Sequence, residues 1–220
     1  LNRFVDVDNY RVEGAKMLAS AIHLNRGTPY IYMGEEIGMV DPDFTSMDQY
    51  VDVESLNAYQ EMLDAGKNEV EAFEIVKAKS RDNSRTPMQW DSEKYSGFST
   101  VTPWLSVGKT ADEINVAKEL QEGSIFSYYQ KLIRLRKDYP LIAEGSYEAF
   151  LPDHPQIYGY LRRLGEQSLL VVNNFFPQET TIEIPDEFLT GKILINNYED
   201  EVIDKNIKLK PYQSIAIYCD

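Results

Sequence analysis

The spacing of apolar positions changes along this chain, and the changes predict its elements. Over residues 9–26, Val12, Ala15, Leu18, Ala19 and Ile22 recur every three or four positions. That spacing predicts an amphipathic helix, with Gly27 standing where a C-terminal cap belongs. Thr28-Pro29-Tyr30-Ile31-Tyr32-Met33 is short, aromatic and β-branched, and reads as a buried strand with its proline at the start. The chain then turns abruptly to glycine and acid at Gly34-Glu35-Glu36-Ile37-Gly38-Met39. A helix feeding a strand across a short turn is α/β organisation, in which strand ends carry ligand loops. Residues 40–66 hold many acids and no firm period, and read as an insertion over that strand end. Asn68 and Glu71 form a capping-box-like start for a helix carrying Val70, Phe73, Val76 and Lys77 toward Lys79. Residues 91–123 read as mostly irregular, punctuated by Gly97, Pro103 and Gly108. Ser124 is placed as the cap of a helix to about residue 137, with Ile125, Tyr129, Leu132, Ile133 and Arg136 on successive turns and Pro140 beyond its end.

From Gly145 the period becomes two. The segments 146–150, 157–164, 168–174, 180–184, 192–196 and 207–218 read as strands separated by turn residues. A series of short strands in the last third of the chain is an antiparallel sandwich, not a continued α/β sheet. The fold class is therefore α/β followed by all-β, with a boundary near residue 143 dividing 1–143 from 144–220.

Composition narrows the partners. A chain of 220 residues, 43% hydrophobic, buries a sizeable core and fits one large or two modest domains. A formal net charge of −14 argues against nucleic acid or an anionic membrane, since either needs a basic patch. No apolar run approaches the roughly 20 residues of a membrane span. The one cysteine, Cys219, allows no internal disulfide, which fits a reducing compartment, and a cytoplasmic location is expected. The first residue is leucine, so a cut or processed piece is expected, and an upstream signal is left open.

The segment Ser80-Arg81-Asp82-Asn83-Ser84-Arg85-Thr86-Pro87-Met88-Gln89-Trp90 carries the most chemistry. Asp, Asn and Ser compete for backbone hydrogen bonds and Pro87 removes a donor, so it reads as a helix end running into a rigid polar loop. Arginine forks and an indole face suit hydroxyl-rich ligands. A structural loop, with Trp90 as a core plug and Arg85 in an ion pair, is the alternative.

With Gly27-Thr28-Pro29-Tyr30-Ile31-Tyr32-Met33-Gly34-Glu35-Glu36-Ile37-Gly38-Met39 and Asp52-Val53-Glu54-Ser55, this segment resembles the α-amylase superfamily, glycoside hydrolase family thirteen. Within it, the group of oligo-1,6-glucosidases, dextran glucosidases and trehalose-6-phosphate hydrolases is the most similar. Gly97-Phe98-Ser99-Thr100, Pro103-Trp104 and Tyr128-Tyr129-Gln130-Lys131-Leu132-Ile133 extend the resemblance over nearly the whole chain, in the family's order. It implies the last part of a (β/α)8 TIM barrel, with strand eight at 28–33 and its closing helix at 124–137, and then a C-terminal antiparallel β-sandwich. The missing N-terminal part of the barrel would be a partner.

Retaining glycosidases use two carboxyl groups roughly 5–5.5 Å apart. The resemblance places the nucleophile after strand four, the acid/base after strand five and a third aspartate in an Asn-His-Asp-x-Pro-Arg motif after strand seven. None of these motifs occurs here, so no catalytic residue is assigned and the chain alone is expected to be inactive. Glu35 and Glu36 do not replace them, because neighbours on an extended strand point to opposite faces. What carries over is substrate binding. Arg85 matches the arginine lining the subsite for the non-reducing-end sugar, and Glu54 matches a carboxylate offered to the leaving-side sugar. Arg81 and Asp82 read as braces of the loop, and Tyr30, Tyr32 and Trp90 as barrel and loop core. His23 and His154 have no partner pattern for a metal or a base, and neither metal nor cofactor is expected.

The leading reading is the C-terminal portion of a retaining α-glucosidase acting on terminal α-1,6-linked glucose of small oligosaccharides. A trehalose-6-phosphate hydrolase is the alternative, although Asp48, Asp52 and Glu54 near the leaving side favour a neutral sugar. A non-catalytic carbohydrate-binding or interaction fragment is the reading from another class.

Overall fold

The apolar run Leu169-Leu170-Val171-Val172 sits mid-sheet and sets the layering around it. The computed structural model describes residues 1–199 and 203–220. In chain order its helices are α1 (Val7–His23), α2 (Val53–Asp64), α3 (Glu69–Lys79), α4 (Val116–Glu122), α5 (Ile125–Asp138) and α6 (Pro140–Glu144). The strands are β1 (Ser146–Phe150), β2 (Ile157–Leu164), β3 (Gln167–Asn174), β4 (Thr180–Glu183), β5 (Lys192–Asn196), β6 (Asn206–Leu209) and β7 (Ser214–Cys219). Two compact units result. One joins Arg3–Glu36 to Ser124–Asp220, and the other is Ile37–Gly123.

In the first unit β1, β2, β3, β7 and β5 form one sheet in that order, and β4 pairs with β6 in a second, every pair antiparallel. Ile157, Leu161, Leu170, Val172, Ile215 and Ile217 of the large sheet pack with Ile182, Ile207 and Leu209 of the small one. Tyr160, Leu169, Val171, Ile195 and Ala216 share a second core with Ala15 and Ala19 of α1, Leu132 of α5 and Leu141 of α6. Alternate residues of β3 therefore enter different cores, which is why its sequence reads as an unbroken apolar run. The expected segment 207–218 divides into β6 and β7 around a turn in which Tyr212 takes a positive φ of 51°, so the described residues hold seven strands rather than six.

Other expectations need correction. Residues 28–33 form no strand, and Tyr30 is 85% exposed, with Ile31, Tyr32 and Met33 exposed beside it. A strand exists through its ladder, and none of the described residues pairs with this segment. Gly27 is not the cap of α1. That helix stops at His23 with Leu24 as C-cap, and Gly27 turns the chain at φ +107° beyond it. Ser124 occupies the N-cap position of α5 without a capping hydrogen bond from its side chain. Helices α2 and α4 occupy stretches read as lacking a period. The one fully buried residue of α2 is Ser55, with Tyr59 and Met62 only half-buried on the same face, and that of α4 is Glu119, so neither buries a continuous apolar stripe.

In the second unit Phe44, Tyr50 and Val76 pack with Met47, Tyr59, Met62 and Phe73. The Phe44 and Tyr50 rings meet edge to face at 5.2 Å. As expected, α3 starts at Asn68, whose side chain accepts from the Glu71 amide.

Arg162 on β2 is the largest fully buried side chain, and its guanidinium meets only carbonyl oxygens. It donates to Ile142 O at 2.8 Å, Gly145 O at 2.6 Å, Ser146 O at 2.7 Å and Leu24 O at 3.4 Å. Burial pulls its pKa below the ordinary arginine value. Arg136 of α5 adds donors to His23 O at 2.6 Å and Asn25 O at 2.8 Å, so the C-terminal end of α1 is closed by two guanidinium groups. The neighbouring Arg163 makes an ordinary surface pair with Glu187 at 2.6 Å. Replacing Arg162 by alanine leaves several buried carbonyls unmet, at about 1–3 kcal/mol each, whereas Arg163→Ala costs under about 1 kcal/mol. Thermal unfolding of the two variants should therefore show a large drop in melting temperature for the first and almost none for the second.

Candidate functional site

The polar segment at residues 80–90 begins where α3 ends. Ser80 caps a 3-10 turn, Arg81–Ser84, by accepting the Asp82 amide on its Oγ at 3.2 Å. The turn buries Asp82 completely. Its Oδ2 accepts the backbone N–H groups of Val51 and Asp52, both at 2.8 Å, and so ties the turn to the start of α2. Asp52 is the N-cap of that helix, accepting the Ser55 amide on Oδ2 at 3.2 Å. Ser55 Oγ lies 3.0 Å from Asp52 Oδ2 and 2.8 Å from Ser80 Oγ, which closes the ring of contacts.

Two arginines extend from this base. Arg81 Nη2 donates to Asp52 Oδ1 at 2.9 Å and also reaches Glu54 Oε2 at 2.8 Å. Arg85 Nη1 donates to the same Asp52 oxygen at 3.3 Å and lies 3.6 Å from Asp82 Oδ1. Burial pushes the Asp52 pKa up, but hydrogen bonds from Ser55 and Arg81 pull it down further, and the carboxyl sits below its ordinary value. Pairing with Asp52, and then with Glu54, raises the Arg81 pKa. Exposure grows outward: the Asp52 side chain is 6% exposed, Arg85 39% and Glu54 74%. The arrangement is a fixed anionic base with cationic and anionic groups at its open edge, suited to hydroxyl groups that both donate and accept.

The fold thus brings Arg85 and Glu54 together through two residues, Asp52 and Arg81. In the sequence Asp52 reads as part of the family motif and as one of several acids, whereas the structure makes it the N-cap of α2. Sequence reasoning also described the neighbourhood of Glu54 as acidic, and the structure corrects this by placing the Arg81 guanidinium against Glu54. Trp90 is a second correction. Thr86, Met88 and Gln89 are buried, Gln89 donates its amide to Ile114 O, and the indole faces outward at 50% exposure. Phe98 and Trp104 are exposed as well.

The other titratable groups are held structurally. In the first unit His23 is buried, with Nδ1 2.9 Å from Ala19 O and its ring edge-on to Tyr129, and burial lowers its pKa. Burial raises the Glu35 pKa against hydrogen bonds from the Tyr32 backbone and the Tyr129 hydroxyl. His154 Nδ1 accepts the amides of Gln156 and Ile157 in a turn. Among the described residues no three His, Cys, Asp or Glu side chains stand together in a metal-binding group.

Comparison with known proteins agrees with these motifs. The family described as alpha amylase, catalytic domain, matches residues 1–145, and the alpha-amylase SusG C-terminal domain matches residues 157–216. A trehalose-6-phosphate hydrolase of Bacillus subtilis (strain 168) is 45% identical over 98% of this chain and 39% of its own length. An oligo-1,6-glucosidase of Parageobacillus thermoglucosidasius is 44% identical over 97% of this chain and 39% of its own. The crystal structure of the Bacillus licheniformis trehalose-6-phosphate hydrolase superposes with a TM-score of 0.93 at 47% identity, covering 98% of this chain and 40% of that one. The chain spans about 39% of the length of these curated relatives. It belongs to the α-amylase family, as the last part of a (β/α)8 catalytic barrel followed by an antiparallel C-terminal domain.

Proposed function

We propose that this chain supplies part of the sugar subsites of a retaining α-glucosidase that releases terminal α-1,6-linked glucose from small oligosaccharides. The observation that carries this reading is how Arg85 is held. Among the described residues its carboxylate contacts run through Nη1, to Asp52 and Asp82, and we assign the Nε and Nη2 edge of the fork to a ligand. A purely structural arginine beside two buried carboxylates would be expected to present both fork nitrogens to them. Arg85 is assigned to the non-reducing-end sugar, where its charge also favours an ionised nucleophile. Glu54, exposed and held through Oε2 alone, is assigned to the leaving-side sugar as a hydrogen-bond acceptor.

The cluster of Asp52, Asp82 and Glu54 with Arg81 and Arg85 carries three carboxylates against two guanidinium groups. That excess supports a neutral leaving sugar over a phosphorylated one, by less than the acid count alone implied. A trehalose-6-phosphate hydrolase is the competing reading, supported by the similarity to enzymes of that name. The exposed apolar run from Tyr30 to Met33, in a chain spanning about 39% of its relatives, supports the rest of the barrel as partner. The division at residue 143 is supported by the two family matches, which end at 145 and begin at 157. No helix among the described residues is long and apolar enough to cross a membrane, and the lone thiol of Cys219 supports a cytoplasmic location.

Three outcomes follow. The chain by itself should not hydrolyse p-nitrophenyl α-glucoside above a heat-killed control, because it lacks the paired carboxylates the reaction needs. In the full-length enzyme, Arg85→Ala should lower kcat/KM by about 100-fold or more, since about 1.36 kcal/mol is tenfold in rate. Its melting temperature should stay nearly unchanged, because Arg85 is 39% exposed and its ion pairs are screened by solvent. A large thermal loss with normal kinetics would make Arg85 structural. Glu54→Gln should weaken isomaltose turnover far more than that of p-nitrophenyl α-glucoside, whose leaving group offers no sugar hydroxyls. Trehalose-6-phosphate preferred over isomaltose by about tenfold in kcat/KM, roughly 1.4 kcal/mol, would instead promote the phosphate-specific reading.

A further inference from the structure

One nitrogen of Arg81 touches both ends of the site. Its Nη2 donates to Asp52 Oδ1 at 2.9 Å and forms an ion pair with Glu54 Oε2 at 2.8 Å, so one nitrogen serves both carboxylates. Arg81 Nε lies 3.5 Å from Asp52 Oδ2, which gives the guanidinium a second hold on the same partner. Asp52 is itself immobile: it is buried, it caps α2 and it is tied to Ser55 by amide and hydroxyl. We propose that Arg81 is a positioning residue, anchored on Asp52, that aims the Glu54 carboxylate at the leaving-side sugar. The proposal rests on the reading of Glu54 given above.

The physical reason lies in side-chain entropy. Glu54 stands on the first turn of α2, exposed to solvent, and fixing such a side chain costs rotamer entropy. An isolated surface pair contributes little and would leave Glu54 moving among rotamers. Here the arginine is already ordered by Asp52, so the pair with Glu54 requires the ordering of one side chain and not two. The fork also limits direction, because a planar guanidinium held on Asp52 through Nε and Nη2 keeps its charge in one region, against Glu54. Glu54 is engaged through Oε2, and Oε1 is the oxygen presented to a sugar hydroxyl. A merely structural Arg81 would pin the 3-10 turn to Asp52, with the Glu54 contact incidental.

The two roles separate in a double-mutant cycle on the full-length enzyme, with isomaltose and p-nitrophenyl α-glucoside as substrates. Arg81→Gln should lower kcat/KM for isomaltose about tenfold, mainly through KM, with a loss of no more than about threefold on the p-nitrophenyl substrate. The Arg81→Gln, Glu54→Gln double variant should be no worse on isomaltose than Glu54→Gln alone, within about twofold, because residues acting as a unit are not additive. Arg81→Lys keeps the charge without the fork and should give a smaller loss, again confined to isomaltose, and it carries the comparison if Arg81→Gln is too unstable to assay. Equal losses on both substrates, or losses that multiply in the double variant, would overturn the positioning role. If Glu54→Gln itself shows no preference between the substrates, the Glu54 assignment is wrong and the proposal goes with it. Selective loss in Glu54→Gln beside unselective loss in the Arg81 variants rejects the proposal alone.

Discussion

Taking an ion out of water costs several kcal/mol unless the protein supplies hydrogen bonds in its place. Each compact unit is built around meeting that demand. In the first, Arg162 is fully buried and answered by the carbonyls of Leu24, Ile142, Gly145 and Ser146. These are groups that helix ends and a strand start would otherwise leave unmet. One guanidinium therefore fixes where α1 and α6 stop relative to β1 and β2. In the second unit Asp82 is the buried ion, answered on Oδ2 by the amides of Val51 and Asp52, with the Arg85 guanidinium 3.6 Å from Oδ1. The two cases mirror each other, a cation gathering carbonyls and an anion gathering amides.

The site inherits its rigidity from the second case. Asp82 fixes the start of α2, the helix start fixes Asp52, and Asp52 orders two arginines at its edge. Precision falls off outward as exposure rises, from Asp82 through Asp52 and Arg85 to Glu54. A polyol needs this combination, since its hydroxyls must be met by donors and acceptors whose positions are set before it arrives. The apolar groups nearby, Trp90, Phe98 and Trp104, are exposed rather than packed.

The layering of the first unit follows from the same economy applied to apolar groups. The large sheet carries side chains from one face into the core shared with α1, α5 and α6, and from the other into the core shared with the small sheet. Burial on both faces permits β3 its run of aliphatic residues and keeps the sheet centre away from water. The edge strand β1 is exposed at its first four residues and half-buried only at Phe150.

How much of this was legible in the sequence depends on where the information resides. Period and caps are local, so α1, α3, α5 and five of the strand segments follow from residue order, and Arg85 and Glu54 could be singled out by motif. Helix α2 escaped because its inner face is polar at Ser55 and only half-buried at Tyr59 and Met62, and α4 because its buried residue is Glu119. Residues 28–33 have the composition of a strand but form none, because a ladder needs a second chain segment. The outward turn of Trp90 and the burial of Arg162 among carbonyls depend on contacts far apart in sequence. So does the meeting of Arg81 with Glu54, which turned an apparently acidic neighbourhood into a paired one. Sequence determined the elements and the chemistry each could offer. Tertiary structure decided which charges share a partner, because that depends on ångström distances between residues 27 to 33 positions apart.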